Sequence, residues 1–277
     1  MAQQDTGKFR KNKKDQFYTR TDVAKACIAK LQELLPQTNS WQWIEPAAGN
    51  GVFLKELPPG TDSLGIDLDP KSSGILKGDF LEWTPTSQKK RIVFGNPPFG
   101  RQGCLAKAFI QHSATVVNAQ AIAFILPRSF VKPSMSRTFP LAFHCIYTEE
   151  LAKNSFEVNG NPYDVPCVFQ IWERRDVNRQ LIAQESPVGF TYVKSDEDYD
   201  IAFRRVGGKA GTCYTKEESC CKQAHYFLQL DIQNKPKIKK IIDLVNDHVF
   251  PSNTVGPRSL SKGEANEVVN AVITGLQ

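Results

Sequence analysis

The stretch that most constrains how this 277-residue chain can fold is the hexapeptide Gly95-Asn96-Pro97-Pro98-Phe99-Gly100. It directly follows residues 91–94, an apolar and β-prone segment that is typical of a buried strand. Because proline fixes φ and has no N–H group for a sheet, the two prolines predict that the chain leaves this strand in a stiff loop. Ligands of open α/β sheets bind at the carboxyl ends of strands. There the loop would offer an amide, proline carbonyls and an aromatic ring, which suit a planar ring that carries an amino group.

A second informative stretch is Glu45-Pro46-Ala47-Ala48-Gly49-Asn50-Gly51, which follows the first predicted core strand and leads into the start of a helix. A strand, a glycine-rich turn and a helix start form the nucleotide-binding arrangement of Rossmann-like folds. The glycines let the backbone approach a ligand, and the first N–H groups of the helix have no partner within it. The spacing differs from G-x-G-x-x-G, so the dinucleotide fingerprint is absent.

Acidic residues follow in the next two predicted elements. Asp67 ends a strand at residues 63–67, roughly 20 residues after the glycine turn, where such folds place a carboxylate on a ribose. Asp69 is the alternative for that role. Asp79 follows in the stretch Gly78-Asp79-Phe80, which by itself indicates only a turn.

In this order, the stretches resemble the motifs of S-adenosylmethionine-dependent N6-adenine DNA methyltransferases. Residues 96–99, Asn-Pro-Pro-Phe, look like the catalytic motif of that family, and residues 45–51 are similar to its E/D-P-x-x-G-x-G motif. Residues 16–19, Gln-Phe-Tyr-Thr, resemble the N-terminal motif of the gamma-ordered members, which closes over the methionine end of the cofactor. The resemblance covers residues 16–100.

The resemblance implies that the cofactor is S-adenosylmethionine. Asp67 would bind its ribose, Asp79 its adenine amine, and Phe80 its adenine ring. The other cofactor-binding residues that the motifs imply are Tyr18, Thr19, Glu45, Ala47, Gly49 and Gly51.

The resemblance also implies how the target is held. Asn96 and the Pro97 carbonyl would accept hydrogen bonds from the target amine, with Pro98 and Phe99 completing the catalytic loop. This arrangement acts through positioning and electrostatics, because the proton can leave after methyl transfer and no strong general base is required.

Two further substrate contacts are expected beyond residue 100. Arg128 follows a continuous apolar strand at residues 121–126 and leaves it on the active-site side, where it could approach a substrate phosphate. Strands at residues 146–152 and 165–172 would form a terminal antiparallel hairpin. In the loop between them, related enzymes carry an aromatic residue that stacks on the extruded base; Phe156 aligns best, and Tyr163 is the alternative.

These elements predict an α/β protein with a Rossmann-like class I methyltransferase fold. We expect a largely parallel seven-stranded sheet with a reversed final strand and helices on both faces. We also expect three regions, namely a basic tail at residues 1–15, a catalytic domain at 16–176 and a small C-terminal α+β substrate-recognition region at 177–277.

The C-terminal region shows short strands at residues 190–193, 201–205 and 226–230, and a basic helix at 237–249. Ser261 and Glu264 have the spacing of a capping box at the start of a final helix. A basic, glycine-rich stretch follows the second of these strands and is expected to contact nucleic-acid phosphates through Arg204, Arg205 and Lys209.

The composition limits the partners of the chain. A net charge of +6 permits a polyanionic partner, whereas the sequence shows neither a signal-peptide core nor an apolar run long enough for a membrane span. The 7 cysteines include no C-x-x-C pair and no histidine lies at zinc-ligand spacing, so we expect reduced thiols, no metal site and an intracellular protein, cytoplasmic or nuclear.

The predicted function is methyl transfer from S-adenosylmethionine to N6 of adenine in DNA. An adenine inside a duplex cannot reach the loop at Asn96, so the base must be flipped out or single-stranded. The alternatives are an adenine in RNA, a glutamine amide of a protein, and a catalytically inactive member that binds nucleic acid.

Overall fold

The computed structural model describes residues 17–181, 183–218, 220–251, 254 and 257–276. The predicted basic tail at residues 1–15 lies outside the described residues. The chain divides into two compact units, Met1–Leu181 and Ile182–Gln277. The sequence places this boundary at residue 176, and the internal contacts place it at residue 181.

The first unit contains ten strands and four helices among its described residues. They are β1 (Tyr18–Thr19), α1 (Thr21–Leu34), β2 (Gln42–Pro46), α2 (Val52–Lys55), β3 (Ser63–Asp67), β4 (Ile75–Lys77), β5 (Arg91–Gly95), α3 (Cys104–Thr115), β6 (Ala121–Pro127), α4 (Pro133–Ser136), β7 (Phe143–Glu150), β8 (Phe156–Val158), β9 (Asn161–Tyr163) and β10 (Cys167–Arg174).

Seven of these strands form one sheet in the order β4-β3-β2-β5-β6-β10-β7. The pairs from β4 to β6 are parallel, and β10 is antiparallel to both of its neighbours. The α/β fold, the largely parallel seven-stranded sheet and the reversed final strand are therefore confirmed. The strand order changes direction between β2 and β5, which is where an open α/β sheet has its ligand crevice.

The burial pattern explains why these segments form central strands. Every residue of β5 and β6 is buried, as expected for parallel strands that are covered on both faces. Alternation along β2 sends Trp43 to the face that packs on α1 and Ile44 to the face that packs on α3. Ile28 of α1 and Ile110 of α3 are correspondingly buried in those two clusters.

A separate three-stranded sheet, β1-β8-β9, replaces the loop that the sequence indicated before β10. Thr19 of β1 lies opposite Phe156 of β8, and the ring of Phe17 stacks on Tyr163 of β9 with centroids 5.2 Å apart. Phe156 is 1% exposed and belongs to the core cluster that includes α1. It is therefore a core residue in this structure and is not presented for stacking on a base.

The second unit is a small α+β fold. Its elements are β11 (Phe190–Val193), β12 (Ile201–Arg204), β13 (Cys213–Thr215), β14 (His225–Leu230), α5 (Ile238–Asn246) and α6 (Lys262–Gly275). The strands form an antiparallel sheet in the order β11-β14-β12-β13. Phe203 and Leu228 on one face of this sheet pack in a core with Val245 of α5 and Val269 of α6.

The start of α6 matches the sequence signal. The Ser261 hydroxyl accepts from the Glu264 N–H at 3.3 Å, and the Glu264 carboxylate accepts from the Ser261 N–H at 2.9 Å. The predicted capping box is confirmed. Within the described parts of the chain, none of the helices is both long enough and apolar enough to cross a membrane.

Candidate active site

A cavity of about 450 Å³ lies at the carboxyl ends of the central strands of the first unit. All the residues predicted for catalysis and cofactor binding line this cavity, except Gly51. The lining residues to which the sequence analysis gave no primary role are Phe17, Ala48, Asn50, Val52, Phe53, Ile66, Leu68, Asp69, Gly78, Leu81, Leu105 and Phe109.

The glycine turn after β2 lies close to β1. Gly49 has φ +53°, and a Cβ atom at this position would lie 3.2 Å from Cε1 of Tyr18. Ala47 also has a positive φ of 55°, an uncommon backbone conformation for a residue with a side chain. Gly51, with φ +69°, packs against Ile75 and begins α2 instead of facing the cavity.

Asp67 connects two loops at the edge of the cavity. Its Oδ2 accepts from the Gly49 N–H at 2.7 Å, and its Oδ1 accepts from the Asp69 N–H at 2.7 Å. Each carboxylate oxygen keeps a second lone pair for a ligand. The alternative, Asp69, forms an ion pair with Lys71 at 2.5 Å.

Asp79 and Phe80 form another wall of the cavity. Asp79 Oδ1 accepts from the Leu81 N–H at 2.9 Å, which is the local turn that the sequence indicated. Phe80 is 2% exposed and packs against Phe109 and His112, with ring centroids 5.2 Å and 4.9 Å away. The cavity therefore has an apolar ring beside a carboxylate at this end.

Glu45 places a buried carboxyl group in the wall of the cavity. It is 2% exposed, and its Oε2 accepts from the Leu54 N–H at 3.3 Å. Burial raises the pKa of this carboxyl well above its ordinary value, and the charge of Asp67 raises it further, whereas the Leu54 hydrogen bond and the Lys55 charge lower it. A cationic ligand in the cavity would stabilise the ionised form.

The sequence predicted free N–H groups at the start of the helix after the glycine turn. The structure has a single helical turn there, α2, and side chains occupy two of its N–H groups. The Val52 N–H donates to Asn50 Oδ1 at 3.2 Å, and the Leu54 N–H donates to Glu45. Glu45 therefore stabilises this turn in addition to lining the cavity.

Asn96 at the end of β5 has one half of its amide bonded and the other half unpartnered. Its Nδ2 donates to the Thr19 hydroxyl at 3.2 Å and to the Phe17 carbonyl at 3.4 Å. Because a carbonyl can only accept, the nitrogen must face Phe17, and Oδ1 faces away from it. Oδ1 is buried and has no hydrogen-bond partner in the described structure.

Backbone hydrogen bonds hold the loop that follows β5. The Phe99 carbonyl accepts from the N–H groups of Leu105 and Ala106 at 3.2 Å and 3.3 Å, at the start of α3. Phe99 is 7% exposed, lines the cavity and packs in the core with α1. The loop is thus fixed at Phe99, on the C-terminal side of Asn96.

Two of the residues predicted to contact the substrate, Arg128 and Phe156, belong to the first unit but do not line its cavity. Arg128 follows β6 and forms two hydrogen-bonded contacts with Glu150, Nε to Oε1 at 3.0 Å and Nη2 to Oε2 at 2.8 Å. Neither Arg128 nor Phe156 lines the cavity. Arg204, Arg205 and Lys209 belong to the second unit.

The contact between Thr19 and Asn96 is the feature that sequence reasoning missed. The two residues are 77 positions apart, and the motif resemblance assigns Thr19 to the cofactor. In the structure Thr19 lines the cavity, and its hydroxyl also accepts from the side-chain amide of Asn96. No local pattern signals this, because the contact depends on the pairing of β1 with β8.

None of the described His, Cys, Asp and Glu side chains gather in groups of three or more that could hold a metal ion.

No protein-family model matches the chain, and no curated protein matches it. Among solved structures, the chain is similar to a candidate RNA methyltransferase from Pyrococcus horikoshii, with 15% identity over 59% of this chain and 90% of that one, and a TM-score of 0.43. A protein from Thermoplasma acidophilum is similar over 57% of this chain and 89% of its own, with 15% identity and a TM-score of 0.44. A candidate class I S-adenosylmethionine-dependent methyltransferase from Listeria monocytogenes is similar over 59% and 62% of the two chains, with 15% identity and a TM-score of 0.44. Likeness at this distance carries no argument about activity or substrate.

Proposed function

We propose that this chain is an S-adenosylmethionine-dependent methyltransferase that methylates N6 of adenine in DNA. The observation that carries the proposal is the Asn96 side chain, whose buried Oδ1 lacks a partner in the described structure while its Nδ2 is held by Thr19 and Phe17. Buried polar atoms without a partner are rare in folded proteins, and a ligand with a matching donor is one explanation for such an atom. An exocyclic amine has the N–H donor that this oxygen lacks.

The cavity residues fit the cofactor. S-adenosylmethionine supplies an activated methyl group when bound, and it carries positive charge, a ribose and an adenine. Glu45 offers a buried carboxylate for the positive charge, Asp67 offers lone pairs for ribose hydroxyls, and Asp79 beside Phe80 offers an acceptor and a ring face for the adenine. The cavity volume of about 450 Å³ falls within the roughly 300–1,000 Å³ of small-molecule sites.

The role of Asn96 and Pro97 is to hold the target amine. Asn96 Oδ1 and the Pro97 carbonyl accept the two amine hydrogens, which fixes the nitrogen and stabilises the positive charge that develops on it. Phe99 provides a ring face for the base. Because the hydrogen bonds to Thr19 and Phe17 leave Asn96 only one orientation, this acceptor is in place before the amine arrives.

A DNA adenine is the substrate that we favour. Its amine must leave the helix to reach a cavity at the ends of the strands, so we expect a flipped or single-stranded base. The net charge of +6 supports binding to a polyanion without distinguishing DNA from RNA.

The experiment is to incubate the protein with methyl-labelled cofactor and, separately, duplex DNA, single-stranded DNA, RNA and a glutamine-containing protein extract. Nucleosides and peptides are then identified by mass spectrometry. We expect N6-methyladenine in DNA from the wild type and none from Asn96→Ala. Label found in RNA alone would replace DNA by RNA as the proposed substrate, and label found in glutamine alone would replace it by a protein. Cofactor binding without any methyl transfer would identify a catalytically inactive protein.

A further inference from the structure

The second unit contains a cavity of its own, about 260 Å³ in volume, that the function proposed above does not use. Its lining residues are Arg204, Tyr214, Glu218, Cys220, Cys221 and His225. All of them lie on or beside the antiparallel sheet β11-β14-β12-β13.

The sheet register places two basic side chains next to each other in this cavity. Arg204 of β12 lies directly opposite His225 of β14, so both side chains project from the same face of the sheet. Phe203 and Leu228 point to the other face, where they pack on α5 and α6. The cavity thus lies on the face opposite these two helices.

His225 has an unpartnered nitrogen. The residue is 7% exposed, and its Nδ1 donates to the Cys221 carbonyl at 2.8 Å, since a carbonyl can only accept. This bond fixes the ring and leaves Nε2 as the free position. Nε2 is buried and has no hydrogen-bond partner in the described part of the unit.

Arg204 contributes a positive charge that is only partly bonded. Its Nε donates to the Val206 carbonyl at 3.2 Å, and no acceptor contacts its terminal nitrogens among the described residues. The next residue, Arg205, differs: its Nη2 donates to the Gln223 carbonyl at 2.8 Å and its guanidinium lies 5.6 Å from the ring centroid of Tyr226. Arg204 and Arg205 are therefore not equivalent, although the sequence grouped them.

Glu218 is the one carboxylate among the described lining residues. It accepts from the Thr215 N–H at 2.9 Å and from the Thr215 hydroxyl at 3.5 Å. Both bonds orient this carboxylate towards its own turn, and no hydrogen bond or ion pair joins it to Arg204 or His225 among the described residues. A guanidinium fork and an imidazole suit a phosphate group, which accepts from both when the imidazole is protonated.

We propose that Arg204 and His225 form a phosphate-binding site. That this site binds phosphate does not depend on the function proposed above. That the phosphate belongs to the backbone of a nucleic acid does rest on that proposed function. In that case the site anchors a polynucleotide by its backbone and carries no sequence information, because phosphate contacts position a nucleic acid without reading its bases.

The first test uses the full-length protein and inorganic phosphate. The chain has 4 histidines, so the imidazole resonances are few, and His225→Gln identifies the one that belongs to His225. We expect phosphate to shift that resonance in a saturable manner and Arg204→Gln to abolish saturation. A resonance that phosphate does not shift would overturn the site. So would a shift that grows linearly with phosphate concentration and that sodium chloride reproduces.

The second test measures binding of an oligonucleotide over a range of salt concentrations. The slope of log K against log salt concentration is negative for a protein that contacts phosphates. Arg204→Gln should make it less steep by about 0.7–0.9, the value for one lost phosphate contact. Lys222→Gln is the matched control, because it removes one positive charge from an exposed position beside the cavity without lining it. An equal loss of slope in both variants would show diffuse attraction and overturn the proposal.

The outcomes separate this site from the methyltransferase proposal. Phosphate binding, together with an oligonucleotide slope and affinity that are both unchanged in Arg204→Gln, supports the site and refutes the nucleic acid as the source of its phosphate. A weaker oligonucleotide affinity with an unchanged slope would indicate contact with a base and would overturn the phosphate assignment. Cofactor binding and methyl transfer depend on the first unit and are measured independently of either result.

Discussion

Replacing Thr19 by Val should slow methyl transfer and leave cofactor binding unchanged. Thr19 is 5% exposed, and its hydroxyl accepts from Nδ2 of Asn96 at 3.2 Å. Valine has nearly the shape of threonine and favours strands, so the pairing of β1 with β8 should persist. The substitution removes the hydroxyl that orients the catalytic amide and changes little else.

The size of the effect follows from the bond that is lost. A neutral hydrogen bond contributes about 0.5–1.5 kcal/mol. Since about 1.4 kcal/mol corresponds to a tenfold change in rate, kcat should fall by about 2- to 13-fold if the whole bond is expressed in the transition state. The Phe17 carbonyl still accepts from Nδ2 at 3.4 Å, so the loss should stay well short of that in Asn96→Ala.

The assay combines single-turnover methyl transfer with calorimetry of cofactor binding. Thr19→Ser is the matched control, because serine keeps the hydroxyl and should restore most of the rate. A higher cofactor Kd in Thr19→Val with an unchanged kcat would refute the reasoning and return Thr19 to the cofactor role that the motif resemblance implies. A serine variant as slow as the valine variant would show that the hydroxyl is not the cause.

Three further substitutions test the other parts of the cavity. Asn96→Ala should abolish transfer and keep the cofactor Kd within a few-fold by calorimetry; turnover near wild type would remove Asn96 from catalysis. Asp67→Ala should raise the cofactor Kd by about 13- to 160-fold, the equivalent of a charge-assisted bond of about 1.5–3 kcal/mol, and an unchanged Kd would move the ribose role to Asp69. Burial raises the pKa of Glu45 above its ordinary 4.5. Above pH 4.5 the folded protein therefore keeps a proton on this carboxyl that the unfolded chain has lost. The free energy of unfolding of the ligand-free protein should fall as pH rises from about 4.5 towards the raised pKa. Glu45→Gln should remove this loss of stability, as measured by thermal unfolding at several pH values, and should weaken cofactor binding. If the variant keeps the same dependence of stability on pH, the Glu45 carboxyl is not the cause of the loss.

The parts of the fold that the sequence predicts correctly are those with local signals. The buried strand at residues 121–126 corresponds to β6, and the apolar stretch before Asn96 corresponds to β5. Ser261 and Glu264 form their capping box because both bonds lie within four residues. In each case, the pattern and the structure involve the same few neighbours, so nothing distant could override the prediction.

Two features of the structure that the motifs do not indicate depend on distant pairing or on the direction in which side chains point. Phe156 lies in the segment that the motif resemblance indicates, but β8 pairs with β1, and the ring is buried. Arg204 and Arg205 are adjacent in a basic stretch, yet they contact different partners because successive residues of an extended chain point to opposite faces. Neither outcome can be obtained from composition or motif spacing.

The short strand β1 joins the glycine turn on one side of the cavity to Asn96 on the other. Tyr18 lies against the glycine turn at Gly49, and the next residue, Thr19, holds the amide of Asn96. Side chains of consecutive strand residues point in opposite directions, so two residues suffice to contact both. The position of β1 is set in turn by its pairing with β8 and by the stacking of Phe17 on Tyr163. The orientation of the Asn96 amide therefore depends on a hairpin far along the chain. If Asn96 holds the target amine as proposed, a change in that hairpin should slow methyl transfer without altering a residue of the cavity.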